Sequence, residues 1–246
     1  MVERAERAER TDGLWRLVRD VVASRMAESG SRELEIVDVG GGTGQLAVPL
    51  ALAGHRVTVI DPTLDSLAAL ERRATEAGAL DRVTAVQGDA ADLPSLVSGG
   101  SADVVLCHNV LEIVDDPVQA VAAIAYALAP GALLSLLAAN RHAVVLAKVL
   151  TGHVDEARRA LADPNGRWGD ADPTPRRFTM DQLQQLVTQS GLVSEAVHGV
   201  RVFADLVPGR VEAAQLTELA ALEAAAANHP AFRELAVHLH VRARKV

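Results

Sequence analysis

Apolar and polar positions along the chain predict short buried strands that alternate with amphipathic helices. Apolar runs rich in β-branched residues are typical of buried strands, and longer stretches with helical spacing that end at Gly are typical of helices. The strands predicted in this way are residues 34–39, 56–60, 82–87, 102–107 and 132–138. The helices predicted before and between them are residues 2–28, 45–53, 64–76 and 118–128. This alternation predicts a parallel, doubly wound α/β sheet.

The regular alternation ends at Asn140. Residues 140–162 are predicted to be helical, and residues 163–177, which contain three prolines, to form a loop. The elements expected beyond the loop are a helix capped by Thr179, a long strand over 192–206, a helix over 212–227 and a final strand over 236–244. We therefore divide the chain into an N-terminal helix (1–30), a ligand-binding core (31–139), an inserted lid (140–178) and the C-terminal part of the sheet (179–246).

Length and charge narrow the function classes. With 246 residues and 49% hydrophobic residues, the chain can form one domain with an elaboration. A formal net charge of −8 gives it no general attraction to nucleic acids or anionic membranes. The single cysteine, Cys107, excludes an internal disulfide and a cysteine metal cluster. We expect a cytoplasmic protein without a metal site or a membrane partner, since neither a secretory leader nor a long uncharged apolar run is present.

A glycine-rich loop follows the first predicted strand. In Asp38-x-Gly40-x-Gly42-x-Gly44, with Gly41 between, glycines allow a sharp bend and a close approach of a ligand to the backbone. The helix that follows presents unpaired N–H groups and the positive end of its dipole. The loop alone is compatible with a dinucleotide site, another nucleoside site or a turn without a ligand.

Acidic residues end the next two strands. Asp61 lies where a carboxylate accepts both ribose hydroxyls of a nucleoside, as in NAD enzymes and methyltransferases alike. Asp89 after the third strand is placed to accept the exocyclic amine of adenine, and Ala90 and Ala91 leave room for the ring. Dinucleotide folds have no regular need of an acid there, and the G-x-G-x-G spacing differs from their G-x-G-x-x-G fingerprint. Both features disfavour an NAD-dependent oxidoreductase.

The fourth strand ends with Cys107 and His108, at the sheet edge where ligands bind. Cys107 and His108 are candidate cofactor contacts, and His108 is the first candidate for a general base if the substrate must lose a proton.

Together these motifs resemble the class I S-adenosylmethionine-dependent methyltransferases. The resemblance covers residues 34–138 through VDVGGGTGQ, VIDP, GDAADL, CHNVLEIVDDP and LAPGALL. It implies a Rossmann-like sheet of seven strands with the last one antiparallel, and S-adenosyl-L-methionine as the cofactor. It also places Gly40 and Gly42 under the methionine part, Asp61 at the ribose, and Asp89 with Ala90 at the adenine.

A narrower resemblance extends into the C-terminal half. CHNVLEIVDDP, LSLLAAN, GVRVFADL and HLHVRARK resemble the tRNA 5-carboxymethoxyuridine methyltransferases, which esterify a carboxylate on the wobble uridine. This resemblance implies that Arg16 meets the carboxylate of the cofactor and that His108 contacts the cofactor. The sequence departs from the family where a lysine-rich run is expected. It has instead Arg158, Arg159, Arg167, Arg176 and Arg177, diluted by acidic residues.

A carboxylate acceptor is already ionised at pH 7 and needs no general base, but it needs a cationic clamp. Arg177 and Arg201 are the candidates, and the alternative for Arg201 is an ion pair with Asp205. The candidate aromatic residues for stacking on a base are Trp168, Phe178 and Phe203. The competing functions are a methyltransferase for a small molecule, including an anionic one, and a cofactor-binding module without catalysis.

Overall fold

The computed structural model describes residues 2–207 and 213–246, and the side chains of 13–207 and 215–246. The helices are α1 (Val2–Ser29), α2 (Ala47–Leu52), α3 (Leu64–Ala77), α4 (Leu93–Leu96), α5 (Pro117–Ala127), α6 (Arg141–Leu150), α7 (Val154–Ala162), α8 (Met180–Gln189), α9 (Ala213–Ala226) and α10 (Pro230–Arg233). The strands are β1 (Glu35–Val39), β2 (Arg56–Asp61), β3 (Val83–Gln87), β4 (Ala102–His108), β5 (Leu128–Ala139), β6 (Leu192–Val200) and β7 (His238–Lys245). Residue 212, where a predicted helix begins, lies outside the described residues.

These strands form one seven-stranded sheet in the order β3-β2-β1-β4-β5-β7-β6. The first five strands run parallel, and β7 is antiparallel to both of its neighbours, β5 and β6. The predicted Rossmann-like fold with an antiparallel last strand is confirmed. Because the chain leaves β1 toward β2 and later returns to place β4 on its other side, the strand order reverses at β1. Ligands of this fold bind beside such a reversal, at the carboxyl ends of the strands.

Two apolar layers cover the sheet. Helices α1, α2 and α3 pack on one face, where Ile36, Val59 and Leu106 meet Val18 and Leu70. Helices α5 and α8 cover the opposite face. Strands buried on both faces need nearly continuous apolar sequences, which explains why the parallel strands read as unbroken apolar runs.

Helix α1 is fixed to the sheet by polar contacts near its C-terminal end. The Arg25 guanidinium donates to the Asp103 carboxylate at 2.9 and 3.1 Å and to the Gly131 carbonyl at 3.2 Å. Asp103 belongs to the start of β4, so this end of α1 lies at the amino edge of the parallel strands. The opposite part of α1, which carries Arg16, therefore lies toward the carboxyl edge.

Two predicted elements differ from the structure. The helix predicted over 140–162 is interrupted between α6 and α7, where Gly152 has a φ of +80°. The strand predicted over 192–206 ends at Val200, because Arg201 adopts a left-handed φ of +61° that a strand does not accommodate. The division of the chain at residues 30, 139 and 178 stays a prediction.

Candidate active site at the carboxyl edge of the sheet

The glycine loop joins β1 to α2 with three residues in the left-handed region. Gly40, Gly42 and Gly44 have φ values of +68°, +54° and +75°. A Cβ on Gly40 would overlap the Val110 side chain, and one on Gly44 would overlap Leu70. Glycine is therefore required at these two positions both by the backbone and by close packing.

Asp38 lies beneath the loop. Its side chain is buried, and a Cβ on Gly41 would collide with its carboxylate. Burial, together with the negative charge of Asp61, raises the pKa of the Asp38 carboxyl to about 7. Asp38 thus belongs to the floor of the loop and does not project from it.

Gly42 is the open point of the loop. A Cβ there would meet no atom closer than 3.8 Å, and that nearest atom is Oδ2 of Asp61. The Asp61 Oδ2 atom accepts a hydrogen bond from the Gly42 N–H at 3.0 Å, and Oδ1 accepts one from Thr63 N–H at 2.9 Å. Asp61 therefore holds the glycine loop and the start of α3 in place, a structural role that the sequence motif did not reveal.

Asp89 lies after β3 as predicted and is exposed. Its Oδ1 atom accepts from Ala91 N–H at 2.7 Å, and its own N–H donates to Asp92 Oδ2 at 3.1 Å, which together cap a short 3₁₀ turn. Ala91 is exposed, whereas Ala90 is only 1% exposed and packs in the core. The expectation that the Ala90 side chain leaves room for an adenine ring is corrected, since that methyl group faces the interior.

Cys107 and His108, the last two residues of β4, point to opposite faces of the sheet. The Cys107 side chain is 0% exposed in the core, and this burial raises the pKa of its thiol far above the usual range. Its prediction as a cofactor contact is corrected for the side chain, because successive strand residues point to opposite faces.

His108 lies on the sheet face that α1 covers. Its Nε2 atom is 2.9 Å from Ser135 Oγ, and its Nδ1 atom is buried without a partner in the described structure. Burial lowers the pKa of His108 to about 4, so the imidazole is neutral at pH 7.

The loop after β4 contains a buried carboxyl group to which sequence analysis gave no role. Glu112 Oε1 accepts a hydrogen bond from Ala139 N–H at 2.6 Å, while Oε2 is buried without a partner among the described residues. Burial raises the pKa of Glu112. Arg176 fixes the same loop by donating to the Leu111 and Val114 carbonyls at 3.1 and 2.9 Å.

The Arg177 guanidinium is not free to bind a substrate carboxylate. Its Nη1 and Nη2 atoms donate to the two oxygens of Asp172 at 2.8 and 3.0 Å, and Nη1 also donates to the Gly166 carbonyl at 3.0 Å. Asp172 has a fully buried side chain. This bidentate pair organises the loop that precedes α8, and it corrects the prediction that Arg177 grips a substrate carboxylate.

Arg16 and Arg201 line a cavity of about 520 Å³ between α1 and α9, together with His198 and Asp20. Arg201 is paired with Asp205 through Nη2, which is the alternative considered for it, while its Nε atom is buried without a partner in the described structure. The structure thus brings Arg16 and Arg201 to one cavity at the end of β6.

The candidate stacking aromatics differ in exposure. Phe178 is 5% exposed and belongs to the core, so its prediction as a stacking platform is wrong. Trp168 is half-buried under the ammonium of Lys148, 3.6 Å from the ring centroid. Phe203 is half-buried and packs edge-on against Phe232, with ring centroids 5.2 Å apart.

The described residues contain no group of three or more His, Cys, Asp or Glu side chains arranged to hold a metal ion. No helix among them has the length and apolarity needed to cross a membrane.

Comparisons with known proteins agree with this geometry. Residues 37–136 match the methyltransferase domain family. The chain is 29% identical over 221 residues to a tRNA 5-carboxymethoxyuridine methyltransferase of Escherichia coli, which covers 89% of this chain and 83% of that one. It is 37% identical over 135 residues to a ubiquinone biosynthesis O-methyltransferase of Xanthomonas campestris, covering 54% of this chain and 53% of that one.

A crystal structure of an S-adenosylmethionine-dependent methyltransferase from Methanosarcina mazei shares the fold. The TM-score is 0.59 at 20% identity, over 88% of this chain and 94% of that chain. This likeness shows the fold, and the domain match shows a methyltransferase domain, for which the sequence motifs predict S-adenosyl-L-methionine as the cofactor.

The residues at the sheet edge fit such a cofactor. Gly42 leaves the loop open beside the Asp61 carboxylate, and the exposed Asp89 lies at the end of the third strand. We expect Gly40 and Gly42 to lie under the methionine part, Asp61 to accept from the ribose, and Asp89 to accept from the adenine. When bound, the cofactor supplies an electrophilic methyl group on sulfur.

Replacing Gly42 by Ala should weaken cofactor binding by about tenfold or more, because the added methyl group fills the open side of the loop. Gly30→Ala is the matched control, since Gly30 has a similar φ of +69° and no atom within 4 Å of its added Cβ. Both variants carry a comparable backbone strain, so both should lose similar stability. Calorimetric titration with S-adenosylhomocysteine measures the difference, and equal affinities in the two variants would contradict this role for Gly42.

Asp38→Asn should become more stable relative to the native chain as the pH rises. Because the pKa of Asp38 is raised to about 7 in the folded state, the carboxyl keeps a proton that the unfolded chain releases near pH 4. Asp38 therefore lowers stability progressively between about pH 4 and 7, and Asn removes this penalty. Urea unfolding at about pH 5 and 8 measures the effect, with the exposed Asp65→Asn as a control for replacing a carboxylate by an amide. A difference for Asp38→Asn that does not change with pH would show that its pKa is not raised.

Proposed function

We propose that this chain is a class I S-adenosylmethionine-dependent methyltransferase that esterifies the carboxylate of 5-carboxymethoxyuridine in tRNA. The observation that supports this acceptor is the extent of the similarity. The match to the tRNA methyltransferase of Escherichia coli spans 221 residues, far beyond the methyltransferase domain at residues 37–136. The match to the ubiquinone biosynthesis enzyme spans 135 residues and favours a small-molecule O-methyltransferase as the second candidate.

A carboxylate acceptor suits the protonation states of the site. A carboxyl group with a pKa of about 4 is ionised at pH 7 and gives up no proton during methylation, so no general base is required. The neutral His108, whose pKa is lowered to about 4, would be a weak base at pH 7. The chain would act chiefly by holding the carboxylate oxygen in line with the methyl group.

The inserted segment supports an acceptor site over the carboxyl edge. Its two ends meet at the end of β5, where Phe178 N–H donates to the Ala139 carbonyl at 2.9 Å and Arg141 N–H donates to the Phe178 carbonyl at 3.0 Å. Arg176 ties its last part to the loop after β4. We propose that residues 140–178 form a lid. The lid carries seven Lys and Arg residues against five Asp and Glu residues, in a chain with a net charge of −8. A local excess of positive charge is what contact with an RNA phosphate requires.

The cavity between α1 and α9 supports a cationic contribution to binding. We propose that Arg16 meets the carboxylate of the cofactor and that Arg201 meets that of the acceptor. Beside its ion pair with Asp205, Arg201 has a buried Nε–H on the wall of this cavity that finds no partner in the described part of the chain.

The acceptor is tested by incubating the purified chain with S-adenosylmethionine and tRNA that contains 5-carboxymethoxyuridine. Nucleoside mass spectrometry should show the methyl ester at the wobble position, and tRNA without this nucleoside should gain no methyl group. A parallel reaction with catechol and phenol acceptors tests the second candidate. If the phenols are methylated and the tRNA carboxylate is not, the proposed acceptor is wrong and the second candidate takes its place.

Arg201→Ala should lower turnover by about 10- to 100-fold, which corresponds to the loss of a hydrogen bond to a charged group. Asp205→Ala removes the same ion pair from the other side and leaves the arginine, so it should retain turnover. Both variants should lose similar stability in thermal unfolding, because each breaks the Arg201–Asp205 pair. Equal turnover per folded molecule in the two variants would show that Arg201 only stabilises the turn through its ion pair with Asp205.

A further inference from the structure

A row of polar side chains crosses the sheet beneath α1. His108 of β4 and His240 of β7 both pair with Leu137 of β5, and His240 also pairs with His198 of β6. Ser135 precedes Leu137 by two residues, so it lies on the same face of β5. Four adjacent strands thus contribute one polar side chain each to this row.

These side chains form a continuous chain of contacts. Ser135 Oγ lies 2.9 Å from His108 Nε2 and 2.8 Å from His240 Nε2, and the Nδ1 atoms of His240 and His198 are 3.5 Å apart. Ser135 and His240 are both 0% exposed. Ser135 is the one hydroxyl in the apolar sequence Leu133–Ala139, where an aliphatic residue would satisfy packing alone.

The single proton of the Ser135 hydroxyl links the two histidines. If the hydroxyl donates to His108 Nε2, it accepts from His240 Nε2–H, and His108 must then carry its proton on Nδ1. If the hydroxyl donates to His240 instead, His108 carries its proton on Nε2 and presents a lone pair at Nδ1. The arrangement therefore has two ordered states, which differ in whether His108 Nδ1 donates or accepts.

At one end of this row of contacts, His108 Nδ1 has no partner among the described residues and lies at the carboxyl end of β4. We propose that Ser135 and His240 are positioning residues that hold His108 in its Nδ1–H form, ready to donate a hydrogen bond to a carboxylate oxygen bound at this edge of the sheet. The inference rests on the proposed function, because an ionised carboxylate only accepts hydrogen bonds whereas a phenol would need the lone pair. Arg177 is occupied by Asp172, so His108 would add a second donor to the one proposed for Arg201.

The tautomer is measured directly with long-range ¹H–¹⁵N correlation spectra of the chain labelled with ¹⁵N-histidine and saturated with S-adenosylhomocysteine. His108→Gln identifies the His108 signals. The expected result is a protonated Nδ1 and an unprotonated Nε2 in the native chain. Ser135→Ala should populate both tautomers and lower turnover by about tenfold, the loss expected for one hydrogen bond. Its affinity for S-adenosylhomocysteine should stay close to the native value.

Two further variants separate positioning from packing. Ser135→Thr keeps the hydroxyl and should restore the single tautomer and most of the turnover. Ser101→Ala is the matched control, since Ser101 is exposed and its hydroxyl donates to the Ser98 carbonyl far from the row. Should Ser135→Ala fold poorly, the native spectrum and Ser135→Thr still decide the matter. His108 protonated at Nε2 in the native chain, or an unchanged tautomer in Ser135→Ala, would overturn the inference.

Failure of this inference is distinguishable from failure of the proposed function. Methylation of the tRNA carboxylate by a chain whose His108 is protonated at Nε2 removes the positioning role and leaves the acceptor intact. A protonated Nδ1 in a chain that does not methylate tRNA would contradict the proposed acceptor but would still support the positioning role of Ser135.

Discussion

The geometry of the cofactor edge depends on the Asp61 carboxylate. Its two oxygens accept hydrogen bonds from the Gly42 and Thr63 N–H groups, so one side chain at the tip of β2 joins the glycine loop to the start of α3. The Gly40 N–H adds a bond of 2.7 Å to the Ile60 carbonyl. A loop of left-handed glycines has few conformational restraints of its own, and these contacts supply them. The same carboxylate is expected to meet the ribose, which would give Asp61 a second role beside that of ordering the loop.

The charged residues of the inserted segment are largely engaged within the chain. Arg177 is bound to Asp172, Arg159 to Asp155, and Lys148 to Glu156. Arg176 is bound to backbone carbonyls of the loop after β4. These contacts give the segment a defined shape, because its prolines and glycines would not pack a core. They also imply that recognition of an acceptor would rely on shape and a small number of donors more than on a dense positive surface.

Much of the fold was predictable from the sequence, because continuous apolar runs and the glycines that end helices are local signals. The limits of α1 and α3, the capped start of α8 and the parallel strands followed from such signals. The end of β6 did not, because nothing in GVRVFADL shows that Arg201 adopts a positive φ. The motif positions of Gly40, Gly42 and Asp61 predicted that these residues lie side by side at the carboxyl edge of the sheet. Their mutual contacts depend on strand order, which a local pattern does not contain.

Three of the side chains predicted to lie at the site were placed wrongly for the same reason. Cys107, Ala90 and Phe178 each belong to motifs or segments near the site, but each faces the interior. Arg177 was expected to be free because its partner Asp172 lies in a loop without periodicity. Ser135 and His240 carried a weak signal, a polar residue within an apolar strand, but only the pairing of β5 with β7 brings them together.

The enclosure of Cys107 has a practical consequence for spectroscopy. It is the single cysteine of the sequence, its side chain is fully covered, and burial holds its thiol in the protonated, unreactive form at neutral pH. Alkylating reagents should not react with this thiol while the protein is folded. A cysteine introduced on the exposed surface of α7 could then carry a fluorophore or spin label alone, so the movement of the inserted segment could be followed without first removing a native thiol.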